Sequence, residues 1–252
     1  MGVRRRESGW ESERLIGGAI EAAPIAFTVL AEDGRYLAAN GAASRFSGYS
    51  RGELLGLRSA DLSAAPARTT DAIESVFRTG SGAGVRQLLR ADGSILRVQY
   101  RLAPAQLGPD RLMVAAWWPA DAEDEAGAEE EMAEEGAAAD SAAQARILGL
   151  AFQRAPIAVT VSDRAGNYLA LNDRACEITG YSRAELFELG AFGVVVSPGP
   201  PPTGDLTLLP GIRSGEAEVR CRDGSTKTVA FRAATTILAK QKVRIGVWWE
   251  TG

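Results

Sequence analysis

Residues 167–186 read NYLALNDRACEITGYSRAEL, and residues 35–54 of the same chain read RYLAANGAASRFSGYSRGEL. The register between these stretches also holds at Pro24 and Pro156, and after the loss of one residue it resumes at the tryptophan pairs 117–118 and 248–249. A repeat at a fixed offset indicates that one structural unit occurs more than once in a chain. A chain of 252 residues therefore predicts two copies of one domain of ordinary size.

The repeat and the composition between its copies divide the chain into four segments. We expect a mobile basic arm over residues 1–12, a first domain over 13–119, an acidic Ala/Glu-rich linker over 120–142 and a second domain over 143–252. Residues 121–140 contain ten acidic side chains and no basic one. That composition is typical of a solvated linker, and the alternative is contact with a basic surface.

The composition excludes several classes of function. Without histidine there is no phospho-accepting histidine, imidazole haem ligand, Ser-His-Asp triad or histidine-containing zinc site. The two cysteines are too few for a disulfide framework and fit a reducing compartment. No apolar run approaches the roughly 18 residues that span a bilayer, and the basic residues 4–6 belong to no recognised nucleic-acid motif. We therefore expect a cytoplasmic protein that is not an enzyme and binds neither metal, nucleic acid nor membrane.

Each copy predicts the same order of elements. An amphipathic flanking helix precedes the proline, a β-hairpin follows it, Asn40 or Asn172 caps a short helix, and Ser50 or Ser182 begins another through a capping box. A three-stranded meander ends each copy. These elements predict an α+β fold with two domains, each composed of two strands, several short helices and three further strands. We expect Asn40, Asn172, Tyr49 and Tyr181 to serve as caps and turn packing instead of ligand contacts.

The two copies differ in the segment that would cover the sheet. Residues 69–79 have the spacing of an amphipathic helix, whereas residues 194–210 contain five prolines and predict a loop. A regular helix can close a pocket, so we expect any ligand in the first domain. The candidate pocket residues are Phe46, Ile73, Val76, Phe77, Tyr100 and Trp118.

The last strand of each copy predicts a contact surface. Its apolar residues recur at every second position and include Trp118 or Trp249, which predicts that this row faces the domain core. Trp117 and Trp248 would then lie on the outer face, under a flanking helix from the same chain or from a second one. We expect a homodimer, and the alternative is a monomer in which each helix covers its own sheet. The candidate interface residues are Trp117, Trp248, Ile16, Ile20, Leu148 and Phe152.

The order of the elements resembles the PAS sensor domain. The resemblance rests on the Asp33-Gly34 turn, the strand that ends in Asn40 or Asn172, the Gly-Tyr-Ser-Arg-x-Glu-Leu motif, the second Asp-Gly hairpin and the closing apolar strand. It implies two PAS-like domains, each a five-stranded antiparallel sheet with short helices on one face and an N-terminal flanking helix. In the family the helices enclose a pocket, which is used for small-molecule sensing, cofactor binding or dimerisation. One departure is that Pro119-Ala120 or Glu250-Thr251 follows the tryptophan pair where many relatives have an Asp-Ile-Thr turn. No output segment follows the second domain, so we expect a separate effector protein.

Two functional hypotheses follow. The first is a regulatory protein that dimerises and binds a partner, tuned by a small apolar or aromatic ligand in the first domain and holding no cofactor. The second is a redox or light sensor that holds FAD or a haem with an unusual iron ligand. Cys176 and Cys221 lie outside the Asn-Cys-Arg-Phe type of motif that photoactive flavin-binding relatives carry. We expect both cysteines to be plain buried thiols.

Overall fold

The computed structural model describes residues 17–21, 23–107, 109–120, 138–153, 155, 157–196, 213–238 and 241–251. The predicted basic arm, most of the acidic linker, Ile16 and nearly all of the predicted proline-rich loop lie outside the described residues. Within those residues, no helix has both the length and the apolar character needed to cross a membrane.

The first domain is a five-stranded antiparallel sheet in the order β2-β1-β5-β4-β3, with helices on its inner face. The described part of α1 is residues 17–21. The other elements are β1 (Ala26–Ala31), β2 (Tyr36–Ala39), α2 (Gly41–Ser47), α3 (Arg51–Leu55), α4 (Pro66–Thr79), β3 (Gly82–Leu89), β4 (Ile95–Leu107) and β5 (Asp110–Pro119).

The second domain repeats this arrangement in the order β7-β6-β11-β10-β9-β8. The α+β class is therefore confirmed, and the two-residue strand β8 adds a sixth strand to the expected five. Helix α5 begins at Ala138, inside the segment predicted as linker. The elements are α5 (Ala138–Phe152), β6 (Ala158–Ser162), β7 (Tyr168–Leu171), α6 (Asp173–Thr179), α7 (Arg183–Val194), β8 (Val195–Val196), β9 (Arg213–Arg220), β10 (Thr226–Leu238) and β11 (Gln241–Glu250).

A buried asparagine joins three parts of each domain, and its predicted capping role is confirmed. Asn40 Oδ1 accepts hydrogen bonds from the backbone N–H of Phe27 at 2.9 Å and from the first turn of α2 at 3.1 Å. Its Nδ2 donates to the carbonyl oxygens of Ile20 and Ile25 at 2.8 and 2.9 Å. Asn172 makes the equivalent four bonds in the second domain. The asparagine thus ties the end of the flanking helix to the first strand and to α2 or α6.

The two domains pack against each other through the outer faces of their sheets. A single apolar cluster contains residues of both sheets and of both flanking helices. Across it the rings of Phe27 and Phe152 lie 4.4 Å apart, edge to face, and those of Trp118 and Trp249 lie 4.6 Å apart. The outer sheet face of each domain is therefore covered within the chain.

The tryptophans lie on the faces opposite to those expected. In β5 the row of Leu112, Val114, Ala116 and Trp118 faces the second domain, whereas Met113, Ala115 and Trp117 face the helices of the first domain. In β11 Trp249 likewise faces the other domain, and Trp248 belongs to its own inner core. In each strand the residues of both faces are apolar. The alternation of side chains therefore assigned the two tryptophans to opposite faces correctly, but it did not identify which face belongs to the core of the domain.

The flanking helices lie between the sheets. Helix α5 precedes the second domain but packs against β1, β2 and β4 of the first. Gly17 and Gly18 let α1 approach α5 and the second domain closely. A Cβ on Gly17 would collide with the carbonyl oxygen of Ala145 in α5, and a Cβ on Gly18 would lie 2.6 Å from the Leu238 side chain of the second domain. Of the predicted interface residues, Ile20, Leu148 and Phe152 are fully buried in this inter-domain cluster.

Candidate ligand cavity of the first domain

A cavity of about 370 Å³ lies inside the first domain, between the inner face of the sheet, helix α4 and residues 59–65. A volume of this size falls in the range of small-molecule sites, which is roughly 300 to 1,000 Å³. Its apolar wall includes Leu30, Ile73, Leu102, Ala115 and Trp117, and its polar wall includes hydroxyl and guanidinium groups.

Helix α4 forms one wall of the cavity. It begins at Pro66, three residues before the expected start, because proline at the first helical position has a backbone already suited to the helix. It ends at Thr79 and is capped by Gly80, whose φ of 85° favours glycine. At Gly82 a Cβ would lie only 2.6 Å from Val76 Cγ2, so the missing side chain lets the helix end approach strand β3.

The structure brings only two of the six predicted pocket residues to the cavity wall. Ile73 and Tyr100 line it. Phe46, Val76 and Phe77 pack in the surrounding inner core. Trp118 lies in the inter-domain cluster, and its neighbour Trp117 takes the expected place, with its ring 6.0 Å from that of Phe46.

Two buried hydroxyl groups of the wall were not predicted. Thr28 and Tyr36 line the cavity and are 1% and 2% exposed. Among the described residues, neither hydroxyl has a hydrogen-bond partner. Because both residues line the cavity, their hydroxyls are available to form hydrogen bonds with a bound molecule. Side chains alternate between the two faces of a strand, so Thr28 lies on the same inner face as Ala26 and Leu30. This alternation was the sequence signal that could have identified Thr28.

A second polar group links β3 to residues 59–65. Arg86 is half-buried, and its Nη1 donates a hydrogen bond to Ser59 Oγ at 3.0 Å. Ser63 Oγ accepts hydrogen bonds from Thr69 Oγ1 at 2.7 Å and from the backbone N–H of Ala65 at 3.1 Å. These contacts hold residues 59–65 against the sheet and the first turns of α4.

The Tyr100 side chain of β4 lies over a glycine of the neighbouring strand β3. Gly84 pairs with Tyr100 in the ladder, and a Cβ on Gly84 would lie 3.0 Å from the Tyr100 hydroxyl oxygen. Phe231 and Gly215 repeat the arrangement in the second domain, where the Cβ would lie 3.5 Å from the Phe231 ring. Because Gly84 has no side chain, the Tyr100 ring can lie over β3, where it borders the cavity.

The inner side of the second domain is organised differently. Helix α7 is broken at Gly190, which has a φ of 63°, and the Ala191 N–H donates to the carbonyl oxygen of Gly166 at 2.8 Å. The Phe192 ring lies so close to Gly166 that a Cβ there would be 2.7 Å from it. A separate open cleft borders Ile178, Cys221 and Asp223. The segment expected to form the missing wall lies outside the described residues.

Side chains that could hold a metal or haem iron are few. Within the described part of the chain, no three cysteine or carboxylate side chains come together. Among the described residues of the cavity wall, tyrosine is the one residue type that binds haem iron in proteins. Cys221 is buried, and its Sγ lies 3.7 Å from the Ile178 carbonyl oxygen. Cys176 is half-buried, and burial raises the pKa of its thiol above the ordinary value.

The fold and the cavity define a class of α+β domain with a small-molecule-sized cavity between its sheet and its helices. A PAS domain family model matches residues 24–116, and a second PAS domain model matches residues 146–209. The two matches together span more than half of the chain. The chain belongs to the PAS domain family and contains two such domains in tandem. PAS domains are sensory modules, so a role in signal sensing follows from the family.

Solved structures of single PAS domains resemble the chain. A PAS domain from a two-component sensor histidine kinase is 18% identical, with a TM-score of 0.41, and the match covers 44% of this chain and 99% of that one. The PAS domain of an HTR-like protein from Haloarcula marismortui is 19% identical, with a TM-score of 0.40 and coverage of 44% and 93%. A domain of a sensory box sensor histidine kinase/response regulator from Geobacter sulfurreducens is 19% identical, with a TM-score of 0.39 and coverage of 44% and 98%. The search of curated proteins found no match.

Proposed function

We propose that this protein is a signalling protein whose first PAS domain senses a small molecule in its cavity and whose two domains act as one intramolecular pair. The observation that supports the proposal is the cavity of about 370 Å³, which combines apolar side chains with the hydroxyls of Thr28 and Tyr36. The cavity combines apolar side chains with convergent polar groups, and small-molecule sites generally use both to bind and orient a ligand.

The contact between the domains could transmit an effect of ligand binding from the first domain to the second. Trp117 borders the cavity, and the next residue, Trp118, stacks on Trp249 of the second domain. A ligand that shifts β5 therefore acts on both faces of the strand. The predicted homodimer and effector protein remain predictions. A second copy would have to use surfaces other than the outer sheet faces, because each domain covers that face of the other.

The test measures whether the cavity binds small molecules. We would screen the full chain against a chemically diverse set of fragments by ligand-observed NMR, and repeat the measurement with Ala72→Leu. Ala72 lines the cavity on α4, so the larger side chain fills the site. Ala67→Leu is the matched control, because Ala67 is exposed on the same helix. We expect fragments that bind the wild type and Ala67→Leu alike but bind Ala72→Leu more weakly. If no fragment distinguishes the two variants, the proposal fails.

The FAD or haem hypothesis and the cytoplasmic location also remain predictions. A visible absorption spectrum of freshly purified protein distinguishes the hypotheses, since a stoichiometric flavin or Soret band would favour the cofactor-based sensor.

A further inference from the structure

Among the described residues, the charged side chains that line the first-domain cavity are all positive. Arg68 of α4, Arg86 of β3 and Arg97 of β4 line it, and no aspartate or glutamate is among the described residues of its wall. The hydrogen bonds of the Arg86 guanidinium within the described residues go to the hydroxyl and backbone oxygens of Ser59, which are neutral. A half-buried guanidinium without a carboxylate beside it attracts an anionic group, to which it can donate two parallel hydrogen bonds.

The start of helix α4 adds to this positive potential. The helix has 14 residues, its N-cap residue Ala65 supplies no side-chain hydrogen bond, and Ala64 and Ala65 both line the cavity. Pro66 has no N–H group, and the Ala65 N–H already donates to Ser63 Oγ. The helix start therefore contributes through its dipole, which favours negative charge within the first turn.

The remaining wall distinguishes an organic anion from an inorganic one. The hydroxyls of Thr28 and Tyr36 have no partner among the described residues, so a hydrogen-bonding group on an organic ligand can pair with them. Trp117 and Leu102 form a hydrophobic surface that an inorganic ion would leave uncovered. The cavity therefore combines a positive end with an apolar end.

We propose that the first-domain cavity binds a small organic carboxylate, with the carboxylate beside Arg86 and the start of α4 and an aromatic or branched aliphatic body against Trp117. This inference rests on the proposed function, because it names the chemical class of the ligand at that site.

The test compares 3-phenylpropionate with its neutral amide, 3-phenylpropionamide, by isothermal titration of the full chain. A hydrogen bond to a charged group contributes enough that we expect the carboxylate to bind about tenfold more tightly than the amide. We expect Arg86→Gln, and separately Arg68→Gln, to remove most of that preference. Arg78→Gln is the control, because Arg78 lies in the last turn of the same helix and does not line the cavity. Having two arginine variants keeps the test valid if one of them fails to fold.

Three outcomes would overturn the inference. The amide could bind as tightly as the carboxylate, both arginine variants could bind the carboxylate as the wild type does, or 3-phenylpropionate and 4-methylpentanoate could both fail to bind at millimolar concentration. In each case the fragment comparison between Ala72→Leu and Ala67→Leu would still decide whether the cavity binds other small molecules. Failure of the carboxylate hypothesis is thus distinguishable from failure of the proposed function.

Discussion

The two capping asparagines hold the flanking helices and the sheets in one geometry. Each side chain is fully buried and uses its carbonyl oxygen and its amide group in two hydrogen bonds each. Because the partners are backbone groups of separate segments, the loss of this one side chain leaves several buried donors and acceptors unsatisfied. An unsatisfied buried polar group costs about 1 to 3 kcal/mol.

We therefore expect Asn40→Ala and Asn172→Ala each to lower the free energy of unfolding by about 3 kcal/mol. Asn40→Asp should be destabilising as well, because a carboxylate oxygen would replace the amide that donates to the carbonyl oxygens of Ile20 and Ile25. Urea denaturation followed by circular dichroism measures the effect. Asn167→Ala is the control, because Asn167 is exposed and its amide bonds only to Asp163. A loss at Asn40 no larger than that at Asn167 would contradict the prediction.

Sequence patterns predicted residues with local roles better than residues at the cavity wall. Asn40 and Asn172 precede a helix in sequence, so their capping bonds are formed within a short stretch and the pattern reveals them. Arg86 and Ser59 meet only after β3 has folded back over residues 59–65, a contact between segments 27 residues apart. The positive wall of the cavity depends on such contacts, which no local pattern specifies.

Among the elements, α7 begins with a charge-dependent cap. Ser182 Oγ accepts a hydrogen bond from the Glu185 N–H, and the Glu185 carboxylate accepts one from the Ser182 N–H at 2.8 Å. The backbone hydrogen bond from Ser182, followed by the one from its hydroxyl, lowers the pKa of Glu185 below its ordinary value of 4.5. A carboxyl group with a lowered pKa stabilises the folded state above its unfolded pKa, and this contribution disappears as the pH falls through the folded pKa.

We expect Glu185→Gln to be less stable than the wild type at pH 7, and the difference to shrink as the pH falls below about 4.5. Glutamine keeps an acceptor for the Ser182 N–H but removes the charge. The variant therefore measures the contribution of the ionised carboxylate to stability. Urea denaturation over a pH series measures the change. Glu216→Gln removes the same charge from an exposed position on β9 and is the control for the loss of charge outside the cap. A difference for Glu185→Gln that persists unchanged to pH 3 would refute this interpretation of the cap.

The strands β5 and β11 show why the element order was predictable and the choice of face was not. A period of two placed Trp117 and Trp118 on opposite faces, as it placed Trp248 and Trp249. In an isolated antiparallel sheet one face is often solvated, and the apolar row would identify the core. Here the second domain covers the outer face, so both rows are buried and the stronger apolar row, which ends in Trp118, is the one between the domains.

At the scale of the whole molecule, the two domains make reciprocal contacts. The guanidinium carbon of Arg101 lies 5.5 Å from the ring centre of Trp249, and that of Arg232, the residue at the same place in the repeat, lies 6.0 Å from the ring centre of Trp118. Burial lowers the pKa of Arg232 to about 10, and burial followed by the nearby charge of Arg174 lowers the pKa of Arg101. Such repeated contacts between equivalent residues are the pattern of a two-fold interface, formed here within one chain.

This arrangement predicts energetic coupling between tryptophans of different domains. We expect Trp118→Leu and Trp249→Leu each to destabilise the protein. In a double-mutant cycle their effects should fall short of additivity by about 1 kcal/mol, because the two rings contact each other. The control cycle uses Trp117→Leu and Trp248→Leu, which lie in separate inner cores and should be additive within about 0.5 kcal/mol. Urea denaturation at two protein concentrations, with light scattering to give the mass, measures both cycles. If the protein has the mass of a monomer and the coupling between Trp118 and Trp249 does not depend on protein concentration, the contact lies within one chain. Coupling that appears only in a dimer would assign it to two chains, and additive effects of Trp118 and Trp249 would contradict the domain pairing.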